Sequence, residues 1–368
     1  MTGEFQPMRL TLARWHRSVI ASDLAIDLGL APQTISHYEN GRVNPSPAHI
    51  RQLSQALHMP ERWFYRPLRH EVPRMEDLHY AARSRVGMDL RRATLAQMSL
   101  FSELMALYDE VCELPPLRMP RFLPDMDPAL AADEIRTAIG ANRGPIYGLL
   151  AALERLGAHV CRLSPESPDI GGCSAWVDGR PIIFLPGSLA CPYELRVLAA
   201  QQLGRLLLFE RPDYKQTVPS RSFALHLLMP EDSYKKATYP STRPADYRKD
   251  ADYWRVPIPD LIDHSLALGV LTQAEWKSAQ VQMTQQKTRY TPHIGPWESP
   301  GMLQNLWQTT RKNLKWDRAQ LCIELAVASD VLDELLWDAS TQPPIPFPMG
   351  PTPANGWKKH LKVLTGDA

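Results

Sequence analysis

Between Tyr193 and Phe209 the apolar residues Leu195, Leu198, Ala199, Leu203, Leu206 and Leu207 recur at three- and four-residue spacing. No proline and no β-branched run interrupts them, so the pattern predicts a buried or half-buried helix over Glu194–Phe209. Toward the N-terminus the same period predicts short helices over Leu10–Val19, Ala21–Leu28, Ala31–Asn40 and His49–Leu57, with a brief fifth at Pro60–Phe64. Gly29 and Gly41 fall where the second and third should stop, and Pro32 is tolerated in a first turn. An entry segment from Met75 to Val86 leads into a long helix over Asp89–Glu113, whose stripe includes Leu90, Leu95, Met98, Leu104 and Tyr108. Core packing is the plainer role for that stripe, with a dimer seam as the alternative. In the entry segment, His79 and Arg83 are possible ligand contacts.

Beyond it, Asp127–Ile139 and Gly144–Leu156 read as helices, and Val160–Leu163 as a short strand after Gly157. Cys173–Val177 and Arg180–Leu185, joined by Asp178-Gly179, read as a hairpin, because Asp-Gly suits a two-residue turn with positive φ. Another apolar helix runs from Ser222 to Pro230. Tyr253–Trp276 reads as two helices about Gly269, followed by helices over Gly301–Lys312, Trp316–Val327 and, capped by Ser329, Val331–Leu336. The last of these carries Asp330, Asp333 and Glu334, too acidic for a DNA groove, which favours packing or partner binding. A proline-rich stretch over Thr341–Asn355 reads as extended, with a short helix over Trp357–Leu364. The fold class is mainly α with a small β-sheet, α+β. The segments are 1–70, a linker helix at 71–113, a middle domain at 114–250 and a helical C-terminal region at 251–368.

Composition narrows this little. Net charge is +1 over 368 residues, so any basic surface for nucleic acid has to be local. Thirty-four prolines cluster in connectors, which fits compact units joined by stiff linkers. Five widely spaced cysteines without a Cys-x-x-Cys pair fit a reducing compartment better than a disulfide framework. Two of them, Cys173 and Cys191, are read as inert core thiols, with an acidified redox thiol as the alternative. No run of about 18 apolar residues occurs. The expectation is a cytoplasmic, nucleoid-associated protein without a membrane partner.

Two short helices joined by a glycine turn form a helix-turn-helix pattern. The residues Asp23-Leu-Ala, Leu28-Gly-Leu, Thr34-Ile-Ser and Glu39-Asn-Gly41, followed by the Leu53 to Leu57 helix, resemble the lambda-repressor-like (XRE) DNA-binding family over some 55 residues. One departure is Ala21, where that family usually has glutamine. The resemblance implies that Gln33, Thr34 and His37 face base edges, Gln33 through an amide able to pair bidentately with adenine. Ser36, Asn40 and Arg42 would sit near phosphates, with Arg14 and Arg17 adding local positive charge.

The middle segment is similar to the ImmA/IrrE family of metallopeptidases. The similarity rests on Gly144-Pro-Ile146, Leu156-Gly157, Ser174-Ala-Trp176, Asp178 to Leu185, Leu203-Gly204, Leu206-Leu-Leu208 and Phe223 to Pro230. In that family a His-Glu-x-x-His helix places two ligands at i and i+4 beside a general base. Here the ligand positions correspond to Gln201 and Arg205 and the base position to Gln202. Residues 217–221, where a third ligand would fall, hold no carboxylate. An arginine repels a divalent cation, and an amide takes no proton from water. The expectation is therefore no metal, no cofactor and no enzymatic activity. A relocated site using His226 with Glu194, Glu210 or Asp213 is the alternative weighed; a lone histidine among leucines more often packs.

Together these features imply a sequence-specific DNA-binding regulator, a repressor acting as a homodimer on operator DNA. Its pseudo-peptidase domain would serve sensing or dimer arrangement, with a small ligand or a protein partner in the disused cleft. The resemblance suggests phage, defence or toxin-antitoxin settings. The alternative is an antitoxin-like or scaffold protein with secondary DNA binding, and an active zinc metallopeptidase is the third and least favoured reading.

Overall fold

The computed structural model describes residues 3–81, 86–123, 126–163, 171–187, 191–208, 217–286 and 298–336. Arg83, Phe209, Glu210, Asp213 and the tail from Thr341 onward lie outside the described residues.

At the N-terminus, α1 (Pro7–His16) is followed by α2 (Ala21–Asp27), α3 (Pro32–Glu39) and α4 (Pro47–Ala56), with a 3-10 turn at Glu61–Tyr65 instead of a fifth α-helix. α1 begins and ends three residues earlier than its apolar spacing predicts. Pro7 supplies a preformed first turn, and Ser18, at φ 54°, stops the helix before Val19. α2 closes on Gly29, at φ 65°: Leu30 N–H donates to Ala25 O at 2.8 Å and Gly29 N–H to Ile26 O at 3.0 Å. This left-handed cap satisfies the last carbonyls and turns the chain sharply into α3.

α5 (Met88–Val111) is the molecule's longest described helix and no exposed connector. Residues 93–105 are buried without interruption, polar ones included. Before it, where the entry segment reads as helical, lie a 3-10 turn (Met75–Asp77) and a two-residue strand, β1 (His79–Tyr80). With β2 (His159–Arg162), β3 (Cys173–Val177) and β4 (Arg180–Leu185) it forms a sheet of order β1-β3-β4-β2. β3 pairs antiparallel with both β1 and β4, and β2 runs parallel to β4. The expected hairpin turn is present, Asp178 and Gly179 both having positive φ.

Because side chains alternate across a strand, each face of the sheet serves a different core. Cys173, Ala175, Val177, Ile182 and Phe184 join α5 in the first core, Phe101 meeting Phe184 edge-on at 5.6 Å between ring centroids. Ile183, Leu185 and Val160 join the second core, built with α6 (Pro128–Ala138), α7 (Leu149–Arg155), α8 (Pro192–Leu208) and α9 (Thr217–Leu228). α10 (Glu231–Ala237), α11 (Arg248–Trp254), α12 (Ile258–Ala267) and α13 (Gln273–Gln286) extend that side. α8 and α9 pack so closely that a Cβ on Gly204 would sit 2.7 Å from Phe223 Cδ1.

The two cores cut across the four sequence segments. α14 (Met302–Asn313), α15 (Arg318–Leu325) and α16 (Ser329–Leu335) return to the first core, beside α1 and α5. Ser329 is the first residue of α16, not its cap; Ala328 holds the cap position without a side-chain bond. The terminal carbonyls of α15 receive three arginines: Arg62 donates to Cys322 O at 2.8 Å, Arg66 to Ile323 O at 3.4 Å and Arg69 to Glu324 O at 3.5 Å. Cations suit this negative end of a helix.

Candidate nucleic-acid interface

α3 buries Ile35 and Tyr38 and turns its other side to solvent. At about 100° per residue, Gln33, Ser36, His37 and Asn40 fall within about 100° of one another, opposite Ile35 and Tyr38. Gln33, Ser36, Asn40 and Arg42 are exposed, whereas Thr34 and His37 are half-buried. Thr34 lies at the flank of this face, not on it. No hydrogen bond within the described residues engages the side chains of Gln33, Thr34, His37 or Arg42, so their polar groups are available to an outside partner. Asn40 is partly occupied, since its amide donates to Ser36 O at 2.7 Å and to Ser36 Oγ at 3.2 Å.

Two of the expected backbone contacts have other duties. Arg14 is buried and clasps Glu39 with Nε and Nη2, at 2.8 and 3.0 Å, while Nη1 donates to Val19 O at 2.9 Å. Its charge is thereby neutralised inside the module, where it fixes the C-terminal end of α3 against α1. Arg17 donates to Leu57 O at 3.0 Å, His58 O at 3.1 Å and Asp330 Oδ2 at 2.6 Å. Neither offers a phosphate the unpaired charge that the sequence suggested. The local basic charge on this module reduces to exposed residues such as Arg42 and Arg51. A bond from Tyr38 Oη to His49 Nδ1, 2.7 Å long, ties α3 to α4.

Rigid support for this module comes from a buried carboxylate. Glu103 on α5 accepts from Arg9 Nη2 at 2.9 Å and from Arg69 N–H at 2.7 Å, and pairs with His70 Nδ1 at 3.0 Å. Burial alone would raise its pKa; the hydrogen bond from His70 and the charge of Arg9 outweigh that and draw it down to about 2. The sequence showed only an apolar stripe on this helix. No local signal pointed to Glu103, because its partners lie 33 to 94 residues away.

On the opposite side of the sheet, α8 brings Gln202 and Arg205 against β3 and β1. Ser174 Oγ donates to Gln202 Oε1 at 2.7 Å, and His79 stands opposite Ser174 across the β1–β3 ladder. Gln202 is fully buried and Arg205 is 4% exposed, whereas Gln201 is half-buried at the rim. Gln202 Nε2 and Arg205 Nε have no acceptor. Burial, with Arg205 nearby, depresses His79 to a pKa of about 4, so its imidazole is neutral at pH 7. Burial pushes the thiols of Cys173 and Cys191 up, opposite to what a reactive thiolate requires. The expectation of inert cysteines fits, and the redox alternative does not.

His226, considered above as a relocated ligand, pairs with Ser222 O at 2.9 Å and stacks edge-on with His264 at 5.0 Å. Among the described residues no group of three or more histidine, cysteine or acidic side chains is arranged to hold a metal. None of the described helices is long and apolar enough to cross a membrane.

A paired-helix module with an exposed polar face on its second helix defines the helix-turn-helix class. Residues 21–64 match a helix-turn-helix family model, a span that opens at the first residue of α2 and reaches the 3-10 turn after α4. No curated protein and no solved structure matches the chain. The chain thus carries an XRE-type helix-turn-helix domain over residues 21–64, and the match supports DNA binding by that domain.

Proposed function

We propose that this protein is a sequence-specific transcriptional repressor that binds operator DNA as a homodimer and reads bases through the outward face of α3. The observation that carries the reading is that face itself. Gln33 and His37 stand unpaired on the second helix of a matched helix-turn-helix domain, clear of the buried Ile35 and Tyr38. Gln33 supplies a donor–acceptor amide able to pair bidentately with adenine, and His37 a second polar contact one turn on. Arg42, Ser36 and Asn40 flank that face and hold phosphates. Arg14 and Arg17 position the reader from within.

The body around α8 takes the role of a sensing or dimer-arranging domain on a scaffold similar to the ImmA/IrrE peptidases. Its chemistry supports regulation over proteolysis: Gln201 and Arg205 stand at the ligand positions and Gln202 at the base position. Gln201, Gln202 and Arg205 bring neither a carboxylate nor a thiolate to these positions, and the lowered pKa of His79 makes its imidazole a weak base. Ligand or partner binding would act by shifting the population of DNA-competent conformations.

A genome-wide footprint with Gln33→Ala and His37→Ala tests the reading. Each substitution is expected to weaken specific sites by about 5- to 150-fold, the cost of about 1–3 kcal/mol for a lost base contact. The melting temperature should stay unchanged. Footprints that survive both substitutions would sink the assignment of α3 as reader.

A further inference from the structure

Six arginines are buried among the described residues: Arg9, Arg14, Arg136, Arg162, Arg196 and Arg205. Five of them have acceptors. Arg9 pairs with Glu103, Arg14 with Glu39 and Arg196 with Glu298. Arg136 donates to the carbonyls of Leu227, Asn142 and Gly144, and Arg162 to Gly187 O. Arg205 alone has neither a carboxylate nor a carbonyl. A buried cation without a partner is strongly unfavourable, and elsewhere this fold supplies the partner each time.

The surroundings of Arg205 are donor-rich. Gln202, one helical turn earlier on the same face of α8, has its carbonyl oxygen taken by Ser174 and its amide nitrogen left without an acceptor. Arg205 Nε is enclosed and likewise unpaired. Among the described residues no carboxylate acts on Arg205; the nearby Cys173 thiol is held protonated by burial. Trp176, two residues after Ser174 on β3, is 38% exposed and bonded through Nε1 to Leu206 O at 3.1 Å, and Gln201, next to Gln202, is half-buried.

From these orphaned donors we infer that Arg205 and Gln202 form a binding site for a small monoanionic carboxylate. The carboxylate oxygens would accept from the guanidinium edge and from Gln202 Nε2, a planar match that suits arginine. One negative charge balances the site. A dianion would meet a single cation, because the neighbouring His79 is neutral and offers no second charge. The inference rests on the sensing role assigned to this body, and it supplies the ligand class that role requires.

Calorimetric melting of the full chain in sodium acetate, sodium chloride or sodium phosphate at matched ionic strength tests it, with wild type compared to Arg205→Met and Gln202→Leu. Acetate is expected to raise the wild-type midpoint above the chloride value, by about 3–4 °C once it reaches a hundred times its dissociation constant. Arg205→Met should melt higher than wild type in chloride, because an uncompensated buried cation is gone, and should ignore acetate. Gln202→Leu should keep the response but need about tenfold more acetate for the same shift. A wild type indifferent to acetate, or a response that persists in Arg205→Met, overturns the site. An Arg205→Met protein that melts lower than wild type in chloride, with no acetate response in either, makes Arg205 purely structural. A shift with phosphate alone overturns the monoanion assignment. These melts contain no DNA. Acetate binding by a protein that leaves no genomic footprint therefore keeps the site and removes the regulator reading, and a footprint without acetate binding does the reverse.

Discussion

α3 carries one glutamine a turn from a histidine and α8 two glutamines close to an arginine, yet the helices present them in opposite ways. On α3, Gln33 and His37 sit on a face with no intramolecular partner and water on the other side. On α8, Gln202 and Arg205 are enclosed, the first half-satisfied by Ser174 and the second with its Nε unpaired. An exposed unpaired amide costs the fold nothing, since water satisfies it until a base edge does. Enclosed unpaired donors carry a desolvation penalty at all times, so their retention says more about a ligand than exposure does. The same residue types thus suit a reading surface in one place and the proposed anion site in the other, and burial is the discriminator.

Three measurements press on this contrast, beginning with the largest effect. Glu103→Ala strands Arg9 and frees His70 and the Arg69 amide, and should cost about 3–5 kcal/mol by chemical denaturation. Gln33→Ala, on the exposed face, should change stability by less than about 0.5 kcal/mol. Comparable losses for the two would erase the distinction between supported and supporting residues.

Acid sensitivity comes next. His79 is neutral in the fold, with a pKa of about 4 against about 6.5 when unfolded. Below pH 6.5 the unfolded chain binds the proton and the folded one does not. Stability that is intact at pH 7 therefore falls with pH, by about 1.4 kcal/mol at pH 5.5, and the loss levels off below about 4. His79→Phe should flatten that part of the melting-temperature profile.

The smallest effect is at the seam between the reader and the C-terminal helices. Asp330→Ala removes one solvent-exposed partner of Arg17, whose other two contacts are backbone carbonyls. The expected cost is below about 1 kcal/mol. The salt dependence of DNA binding should not change; a slope steeper by about one unit would mean that Arg17, once released, reaches a phosphate.

Local chemistry made much of this molecule readable from its sequence. The Asp178-Gly179 turn, the glycine stops at Gly29 and Gly41 and the apolar run from Pro181 to Leu185 each fix their element through neighbours in the chain. β1 was missed because two residues carry no periodicity. The one available hint was alternation, Leu78 and Tyr80 entering the first core while His79 turns to the other side. The roles of Arg14 and Arg17 could not be read because Glu39 and Asp330 claim them from 25 and 313 residues away. α5 looked like a striped connector since two of its buried polar residues, Glu103 and Gln97, reach partners far away in the chain. The helix that carries Gln201, Gln202 and Arg205 was legible from its apolar spacing, but no sequence pattern shows that Arg205 lacks a carboxylate or carbonyl partner among the described residues.

The three arginines on the end of α15 also bear on the order in which the protein forms. α1 to α4 draw on contacts close in sequence, which form fast, while the docking of Arg62, Arg66 and Arg69 onto Cys322, Ile323 and Glu324 spans more than 250 residues. During synthesis the reader therefore assembles early and stands without its backing until the ribosome has released α15. A nascent or clipped chain that ends before that helix has a reader with the same face toward DNA but without the body's grip.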